Sequence, residues 1–319
     1  VRTIDLGRTV MATAASADLS RAFALVQAGG DEPAGVYVID GITLRGADMD
    51  RSTPGTLDAI NLVFNGTAAE NVTALALDPL GRYLYVAAKR SVYVIDINPG
   101  SATLHQVVDL IAIPSEYSIT GRINDLAVNA DGTRLYLTAP ATELFGGTKA
   151  WVQGGREKGK VLVVNVDEAD RPKPSVAQPN PPNLRNHRKV IGDLDVGINP
   201  YGIRATPFAD RLIFASELAG AATGEALQTI TVTNNDPTGA FAATLGNINL
   251  QLSQNTQQRY QLTIRNAIDV AILPDLSYAF VVDWNVPMSV GSSDPGTMIE
   301  YMDTHSVGSK VGIIKDPFG

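Results

Sequence analysis

Residues 72–97, with the sequence VTALALDPLGRYLYVAAKRSVYVIDI, contain three predicted β-strands. Residues 72–77, 83–87 and 91–97 are rich in Val, Ile, Leu and Tyr, which favour strands. The segment DPLG at residues 78–81 separates the first two strands, and its Pro and Gly are typical of a tight turn. The stretch therefore predicts an antiparallel β-unit rather than a helix.

The same pattern recurs four more times along the chain. The second strands of these copies are centred on Phe23, Tyr136, Ile213 and Phe280, with Tyr85 at the equivalent position of the quoted copy. Strand-like runs between the copies would add a fourth, outer strand to a unit: residues 59–64, 106–111, 188–194 and 241–252. Four antiparallel strands per unit, repeated around an axis, predict an all-β fold of the β-propeller class with five blades.

The fifth copy lacks an obvious outer strand, whereas residues 1–6 form a strand-like run without a unit of its own. We expect this N-terminal run to complete the last blade, because closing the ring would leave no unpaired sheet edge. The alternative is an excerpt from a propeller of six to eight blades. Residues 1–319 are interpreted as one domain, and the start at Val1 suggests a portion of a longer polypeptide.

The composition excludes several classes of function. With 45% hydrophobic residues and 18% charged residues, the chain can bury a substantial core. The net charge of −8 argues against nucleic acid as a partner, since nucleic-acid binding requires a basic face. The absence of Cys excludes disulfides and thiolate chemistry, and no apolar run is long enough to span a membrane. A chain without Cys is compatible with secretion or a bacterial cell surface, which is the expected location.

Several strands resemble a known repeat. The runs LYVA at residues 84–87 and VYVID at residues 92–96, with VYVID again at residues 36–40, are similar to the YVTN-type β-propeller repeat. The resemblance implies surface-layer, adhesin-like or cell-envelope proteins, with lactonases and quinoprotein-like dehydrogenases among relatives of the same architecture. The chain departs from the pattern where the family usually has Asn: it has Ala87, Thr138 and Ala215 there.

Two long connections are expected at one end of the propeller, residues 139–159 and residues 284–309. Loops of this length are often functional. They contain both tryptophans, Trp151 and Trp284, and also Tyr301, which together could form an aromatic contact surface. This pattern favours a secreted or cell-surface binding or adhesion module that recognises a glycan or protein, rather than an enzyme. The alternative is that each Trp pins its own loop to the scaffold.

The second long loop is also acidic. Asp283, Glu300 and Asp303 could supply oxygen ligands to Ca²⁺. The loop lacks the DxDxDG spacing of a calcium loop, so solvated acidic residues are the competing interpretation.

An enzymatic alternative rests on polar residues of the predicted inner strands. Asp125, Arg204, Arg265 and Asp269 could converge on the central channel, where paired carboxylates could support hydrolysis by a hydrolase or lactonase-like enzyme. The competing interpretation is that these residues only form salt bridges or hydrate the tunnel. Function is expected in the loops or the channel, because the repeat itself carries no chemistry.

Overall fold

The strands found in a computed structural model of the chain match the predicted repeat. The structure describes residues 3–46, 59–119, 122–140, 159–218, 227–239, 241–247, 267–273, 275, 278–283, 301–303 and 308–315. Blade 1 contains β1 (Val10–Ala15), β2 (Arg21–Val26), β3 (Gly35–Asp40) and β4 (Ile60–Asn61), and the hairpin of β5 (Val63–Phe64) and β6 (Thr67–Ala68) follows it. Blade 2 contains β7 (Val72–Leu77), β8 (Tyr83–Ala88), β9 (Ser91–Asp96) and β10 (Val107–Ala112).

The later blades follow the same plan. Blade 3 contains β11 (Asp125–Val128), β12 (Arg134–Ala139), β13 (Lys160–Asn165) and β14 (Val190–Asp195). Blade 4 contains β15 (Ile198–Ala205), β16 (Arg211–Leu218), β17 (Leu227–Asn234) and β18 (Ala242–Asn247). Blade 5 contains β19 (Ala267–Ile272), β20 (Tyr278–Asp283), β21 (Tyr301–Asp303) and β22 (Gly308–Lys315). Short 3₁₀ helices lie at Ser115–Tyr117 and Glu168–Asp170.

Each blade is a four-stranded antiparallel sheet. The first strand of each blade packs against the first strand of the next, in the order β1, β7, β11, β15, β19. The first strands therefore line the axis as inner strands, and the described residues form a β-propeller with five four-stranded blades, as predicted. No comparable contact joins β1 to β19 in the part of the chain that the structure describes, so closure of the ring stays a prediction.

The prediction of which strand forms the outer edge of the last blade is wrong. Blade 5 has the order β19-β20-β22-β21, so that its outermost strand is β21 and not the N-terminal run. Residues 3–6 form no strand, and Leu6 packs instead against the core of blade 1 beside Ala24 and Val26. The β21–β22 hairpin joins neighbouring segments, and this costs less loop-closure entropy than recruiting a distant terminus.

The apolar core lies between successive blades. One core cluster combines Tyr85 and Val94 of blade 2 with Leu126, Leu135 and Leu162 of blade 3. Blades 2 and 3 each have a neighbouring blade on both sides, and their second and third strands are buried almost throughout. These strands therefore read as nearly continuous apolar runs.

The two ends of the propeller can be distinguished by the hydrogen bonds between blades. At the end where inner strands begin, the Thr73 hydroxyl donates to the Ile123 carbonyl (2.7 Å), and the Asn124 amide donates to the Pro200 carbonyl (2.6 Å). At the end where inner strands turn into second strands, the Asn129 amide donates to the Ala209 carbonyl (3.1 Å). We call these the loop end and the turn end. The helices in the described part of the chain are all too short to cross a membrane.

Candidate active site on the inner strands

One register position of the inner strands is occupied differently in blade 4. In the other four blades, the inner-strand residue opposite the centre of the second strand is Ala. The pairs are Ala14 with Phe23, Ala76 with Tyr85, Ala127 with Tyr136 and Ala271 with Phe280. Blade 4 has Arg204 opposite Ile213. The repeat therefore places one long cationic side chain where a small side chain is otherwise found.

The Arg204 guanidinium joins three consecutive blades. Its Nη1 donates to Asp125 Oδ2 of blade 3 at 2.5 Å, and its Nη2 donates to Asp269 Oδ1 of blade 5 at 2.7 Å. Nη1 also donates to the carbonyl of Ile203 at 2.7 Å. A guanidinium has five N–H donors, so these contacts with described residues leave capacity for a further oxygen.

Gly202 makes room for this arrangement on the strand β15. The register between β15 and β16 shifts between Pro200 and Ile203, so Gly202 lies in the irregular part of the pairing. A Cβ at Gly202 would lie 2.8 Å from Asp269 Cα and would overlap the carboxylate of Asp269. The absence of a side chain here therefore allows the inner strand of blade 5 to approach.

Asp125 is fixed by its own backbone neighbourhood. Its carboxylate accepts hydrogen bonds from the backbone N–H groups of Ile203 (3.0 Å) and Leu126 (2.8 Å). The backbone N–H of Asp125 donates to the hydroxyl of Thr138 (3.1 Å), which itself donates to the carbonyl of Tyr201 (2.6 Å). The fully buried Thr138, one of the departures from the YVTN pattern, thus ties β11 to β15.

The two carboxylates have different environments. The side chain of Asp125 is 16% exposed, whereas that of Asp269 is 48% exposed. Burial raises the pKa of Asp125, although Arg204 acts in the opposite direction. Burial alone would lower the pKa of Arg204, but the two carboxylates more than offset it and raise that pKa. Arg204 therefore stays charged, between one shielded carboxylate and one that water can reach.

The structure brings together three of the four residues named for the enzymatic alternative, namely Asp125, Arg204 and Asp269. The fourth, Arg265, lies outside the described residues, as do Trp151, Trp284 and Glu300. For Asp283, Tyr301 and Asp303 the structure describes the strand but not the side chain. Within the part of the chain that is described, no group of three or more His, Asp or Glu residues is arranged to hold a metal ion. The Ca²⁺ site stays a prediction.

A second charged cluster was not expected from the sequence. His187 Nε2 and Arg188 Nη2 both lie 3.2 Å from Glu168 Oε1, and Arg188 Nη1 donates to Asp109 Oδ2 of blade 2 at 2.9 Å. The Arg188 guanidinium also lies over the ring of Tyr83, 4.9 Å from its centroid. Burial opposes ionisation of Glu168, but His187 and Arg188 lower its pKa to about 2. The cluster ties blade 3 to blade 2, and no spacing in the sequence signals it.

Comparisons with known proteins find similarity in structure but not in sequence family. No protein-family model and no curated protein matches the chain. The hydrazine synthase of Kuenenia stuttgartiensis superposes with a TM-score of 0.49 at 15% identity, covering 99% of this chain. A Bacteroides uniformis protein described as a "putative 6-phosphogluconolactonase" has a TM-score of 0.48 at 15% identity. A Bacteroides fragilis protein with the same description has a TM-score of 0.47 at 14% identity. Each of these two superpositions covers 87% of this chain. The chain spans 64% of the length of each of these structures.

These findings correct the interpretation as a surface binding or adhesion module. The similar structures are described as enzymes, and none of the three is described as an adhesin. The structure does not describe Trp151 or Trp284, so their aromatic contact surface stays a prediction. The described residues instead assemble a carboxylate–arginine cluster on the inner strands. Membership of the YVTN-type family and a location outside the cytoplasm stay predictions.

Proposed function

We propose that the chain belongs to a hydrolytic enzyme of the lactonase-like kind, with Asp125, Arg204 and Asp269 as its active site on the inner strands. The observation that supports this proposal is the Arg204 guanidinium, which lies between a shielded carboxylate and an accessible one contributed by two other blades. Paired acidic groups in unequal environments are a recurrent basis for hydrolysis.

Asp269 is the catalytic base in this proposal. Its half-exposed carboxylate can accept a proton from a water molecule while the water oxygen forms a bond to the carbonyl carbon of the lactone. The ring C–O bond then breaks, and the leaving alkoxide takes the proton that Asp269 received. The product is the open-chain hydroxy acid, and no metal or cofactor is needed to balance the reaction.

Arg204 stabilises the negative charge that develops on the carbonyl oxygen. Within the described part of the chain Arg204 donates to Asp125, Asp269 and Ile203, and we assign its remaining N–H donors to this oxygen. Donors that are oriented before the reaction lower the barrier without reorganisation. The cluster carries two carboxylates and one guanidinium, so the substrate expected here is uncharged.

Asp125 is a positioning residue. It holds the guanidinium from the less exposed side, and its carboxylate is in turn held by the backbone N–H groups of Leu126 and Ile203. Arg204 already donates one hydrogen bond to Asp269, and removing the charge of Asp125 should let it turn further toward Asp269, which would leave less of that carboxylate free to accept a proton. We therefore expect Asp125→Asn to lower kcat more than it raises KM.

The test is the hydrolysis of a panel of uncharged γ- and δ-lactones, followed by proton release and corrected for the spontaneous reaction. The wild-type protein should accelerate hydrolysis of at least one lactone, and Asp269→Asn should reduce kcat/KM about 100-fold or more. Asp193→Asn is the matched control, because Asp193, on the outer strand β14, is also a partly exposed carboxylate in an ion pair, in this case with Lys160. Equal activity of Asp269→Asn and the wild type would contradict the assignment, as would the absence of any acceleration.

A further inference from the structure

Asp125 and Asp269 occupy equivalent positions of the repeat. Asp125 lies two residues before Ala127 on the inner strand of blade 3, and Asp269 lies two residues before Ala271 on the inner strand of blade 5. Each carboxylate accepts a hydrogen bond of 2.8 Å from the backbone N–H of the following residue. Their side chains are nevertheless 16% and 48% exposed, so a feature outside the repeat distinguishes them.

The residue paired with each Asp on the second strand is different. Asp125 pairs with Thr138 on β12, whereas Asp269 pairs with Val282 on β20. Thr138 lies two residues after Tyr136, the centre of its strand, and the equivalent residues of the other blades are Leu25, Ala87, Ala215 and Val282. Of these five side chains, only that of Thr138 carries a hydroxyl group. Blade 3 therefore departs from the repeat beside Asp125, as blade 4 does at Arg204.

The Thr138 hydroxyl closes a ring of hydrogen bonds between β11, β12 and β15. It accepts from the backbone N–H of Asp125 (3.1 Å) and donates to the carbonyl of Tyr201 (2.6 Å). Two residues beyond Tyr201, the backbone N–H of Ile203 returns to the carboxylate of Asp125 (3.0 Å). Thr138 is fully buried, so it acts through the residues that it holds and not by touching a substrate.

The segment of β15 that Thr138 holds contacts both carboxylates. Tyr201 and Ile203 flank Gly202, in the part of β15 where the register shifts. The Ile203 side of this segment bonds Asp125, and Gly202 is the point at which Asp269 approaches. Arg204 follows directly in the chain, so a shift of this segment would move the guanidinium relative to both carboxylates. One buried hydroxyl therefore controls the geometry of the whole cluster.

We propose that Thr138 is a positioning residue of the active site, and that its hydroxyl makes two equivalent carboxylates unequal. By fixing Asp125 to β15, it commits Asp125 to holding Arg204 and leaves Asp269 as the base. The inference rests on the proposed function at Arg204. Buried groups that orient the residues of a site are worth a large part of its rate, because a small displacement of an oriented donor slows the reaction.

Thr138→Val tests the role in the reaction. It removes the hydroxyl at nearly constant volume, and Val is the residue at this position in blade 5. On the lactone that the wild type hydrolyses fastest, we expect kcat to fall about tenfold while KM changes less than about twofold. Thr138→Ser keeps the hydroxyl and should restore at least about half of kcat. Thr138→Ala is the second variant, because blades 2 and 4 have Ala at this position and the scaffold accepts it.

The matched control is Thr73→Val. The Thr73 hydroxyl also donates to a backbone carbonyl of the next blade, that of Ile123 at 2.7 Å, but it joins blades 2 and 3. We expect Thr73→Val to lower the urea midpoint of unfolding, as Thr138→Val does, and to keep the wild-type kcat. A merely structural role of Thr138 would give the two variants the same kinetics.

A second measurement does not depend on the reaction. Phenylglyoxal modifies arginine side chains, and peptide mapping by mass spectrometry gives the rate at Arg204, with Arg82 as the internal reference. Because two carboxylates hold Arg204, loosening the cluster should expose it to the reagent. We expect modification of Arg204 to be at least about threefold faster in Thr138→Val and Thr138→Ala than in the wild type, Thr138→Ser or Thr73→Val.

The two measurements separate failure of this inference from failure of the proposed function. Unchanged modification of Arg204 in Thr138→Val and Thr138→Ala would overturn the positioning role, whatever the activity. So would wild-type kcat in these variants, or equal effects of Thr73→Val. If the wild type hydrolyses no lactone but Arg204 reacts faster in both variants, Thr138 still positions Arg204, and the assigned reaction is wrong.

Discussion

The inner strand of blade 4 can be compared with those of the other four blades at the position opposite the centre of the second strand. Ala14, Ala76, Ala127 and Ala271 are small and leave space along the axis. Arg204 fills that space and reaches carboxylates on both neighbouring blades. The positions that agree between blades build the scaffold, and the proposed active site lies at the blade that departs from them.

The same contrast separates two kinds of arginine. Arg21, Arg82 and Arg134 follow the turns, donate to backbone carbonyls of the next blade and recur with the repeat. Arg204 pairs with carboxylates and has no counterpart in the other blades. Substituting the arginines that follow the turns should lower stability, and substituting Arg204 should slow the proposed reaction.

Arg204→Ala restores the pattern of the other blades and should have the largest effect. Removing an oriented donor to a developing oxyanion costs on the order of 10²–10³ in kcat. The unpaired Asp125 should also lower the free energy of unfolding by about 1–3 kcal/mol, less than for a fully buried pair because water reaches Arg204. Both quantities are measured with the lactone assay and urea unfolding.

The control for that comparison is Arg82→Ala. It removes an ion pair with Asp78 and a bond to the next blade, but at the turn end. We expect lower stability and unchanged kcat/KM. A comparable loss of activity in Arg82→Ala would mean that any broken inter-blade arginine disturbs the protein, and that Arg204 is not special.

Gly202→Ala should be the next most damaging change. The new Cβ would lie 2.8 Å from the Cα of Asp269, so β19 must shift and carry the carboxylate with it. Overpacking of this kind typically costs about 1–3 kcal/mol of stability, and activity should fall as well. Gly100→Ala is the control, since the nearest atom to its Cβ is Asn98 Oδ1 at 3.6 Å. Wild-type activity in Gly202→Ala would show that the approach of β19 is not required.

Two carboxylates should give opposite pH dependences of stability. Burial raises the folded-state pKa of Asp125. The stability that this shift contributes is fully present below the unfolded-state pKa of about 3.9, and it is lost as pH rises through the folded-state pKa. The folded-state pKa of Glu168 is lowered to about 2. The stability that this shift contributes is present above the unfolded-state pKa of about 4.3, and it is lost as pH falls toward 2. Urea unfolding of the wild type, Asp125→Asn and Glu168→Gln from pH 3 to 7 measures both contributions, as the difference in unfolding free energy between each variant and the wild type. Slopes of the same sign would contradict the difference in environment.

The smallest expected effect concerns two buried tyrosines of the regular blades. The Tyr136 hydroxyl is buried and has no hydrogen-bond partner among the described residues, whereas Tyr93 donates to the Thr67 carbonyl at 3.3 Å. Tyr136→Phe should therefore change the unfolding free energy by less than about 0.5 kcal/mol or increase it, and Tyr93→Phe should cost about 0.5–1.5 kcal/mol. Thermal melts of both variants test this. A larger loss in Tyr136→Phe would reveal a partner for its hydroxyl.

Much of the fold could be predicted because each blade is built from local signals. The turn DPLG at residues 78–81 and the apolar runs beside it specify a hairpin, and the strands β7, β8 and β9 fall within a residue of their predicted bounds. The outer strand of blade 5 could not be predicted in this way. Residues 301–303 carry no strand pattern, and their pairing depends on β22, which follows them in the chain.

The candidate site was only partly predictable. The inner-strand positions of Asp125, Arg204 and Asp269 follow from the repeat, so the sequence could propose that they converge. The bonds themselves depend on the shifted register of β15 and on the space at Gly202, which are properties of packing between blades. The Glu168–His187–Arg188 cluster depends on contacts between blades 2 and 3 for which the repeat offers no signal.

The most direct test of the account is a double-mutant cycle on the lactone reaction with Asp125→Asn, Arg204→Ala and the combined variant. If the two residues act as one unit around the reacting carbonyl, the combined variant should be no more than a few-fold slower than Arg204→Ala alone. Losses in kcat/KM that multiply would show that the residues act independently, and a wild-type protein that hydrolyses no lactone faster than water does would remove the site altogether.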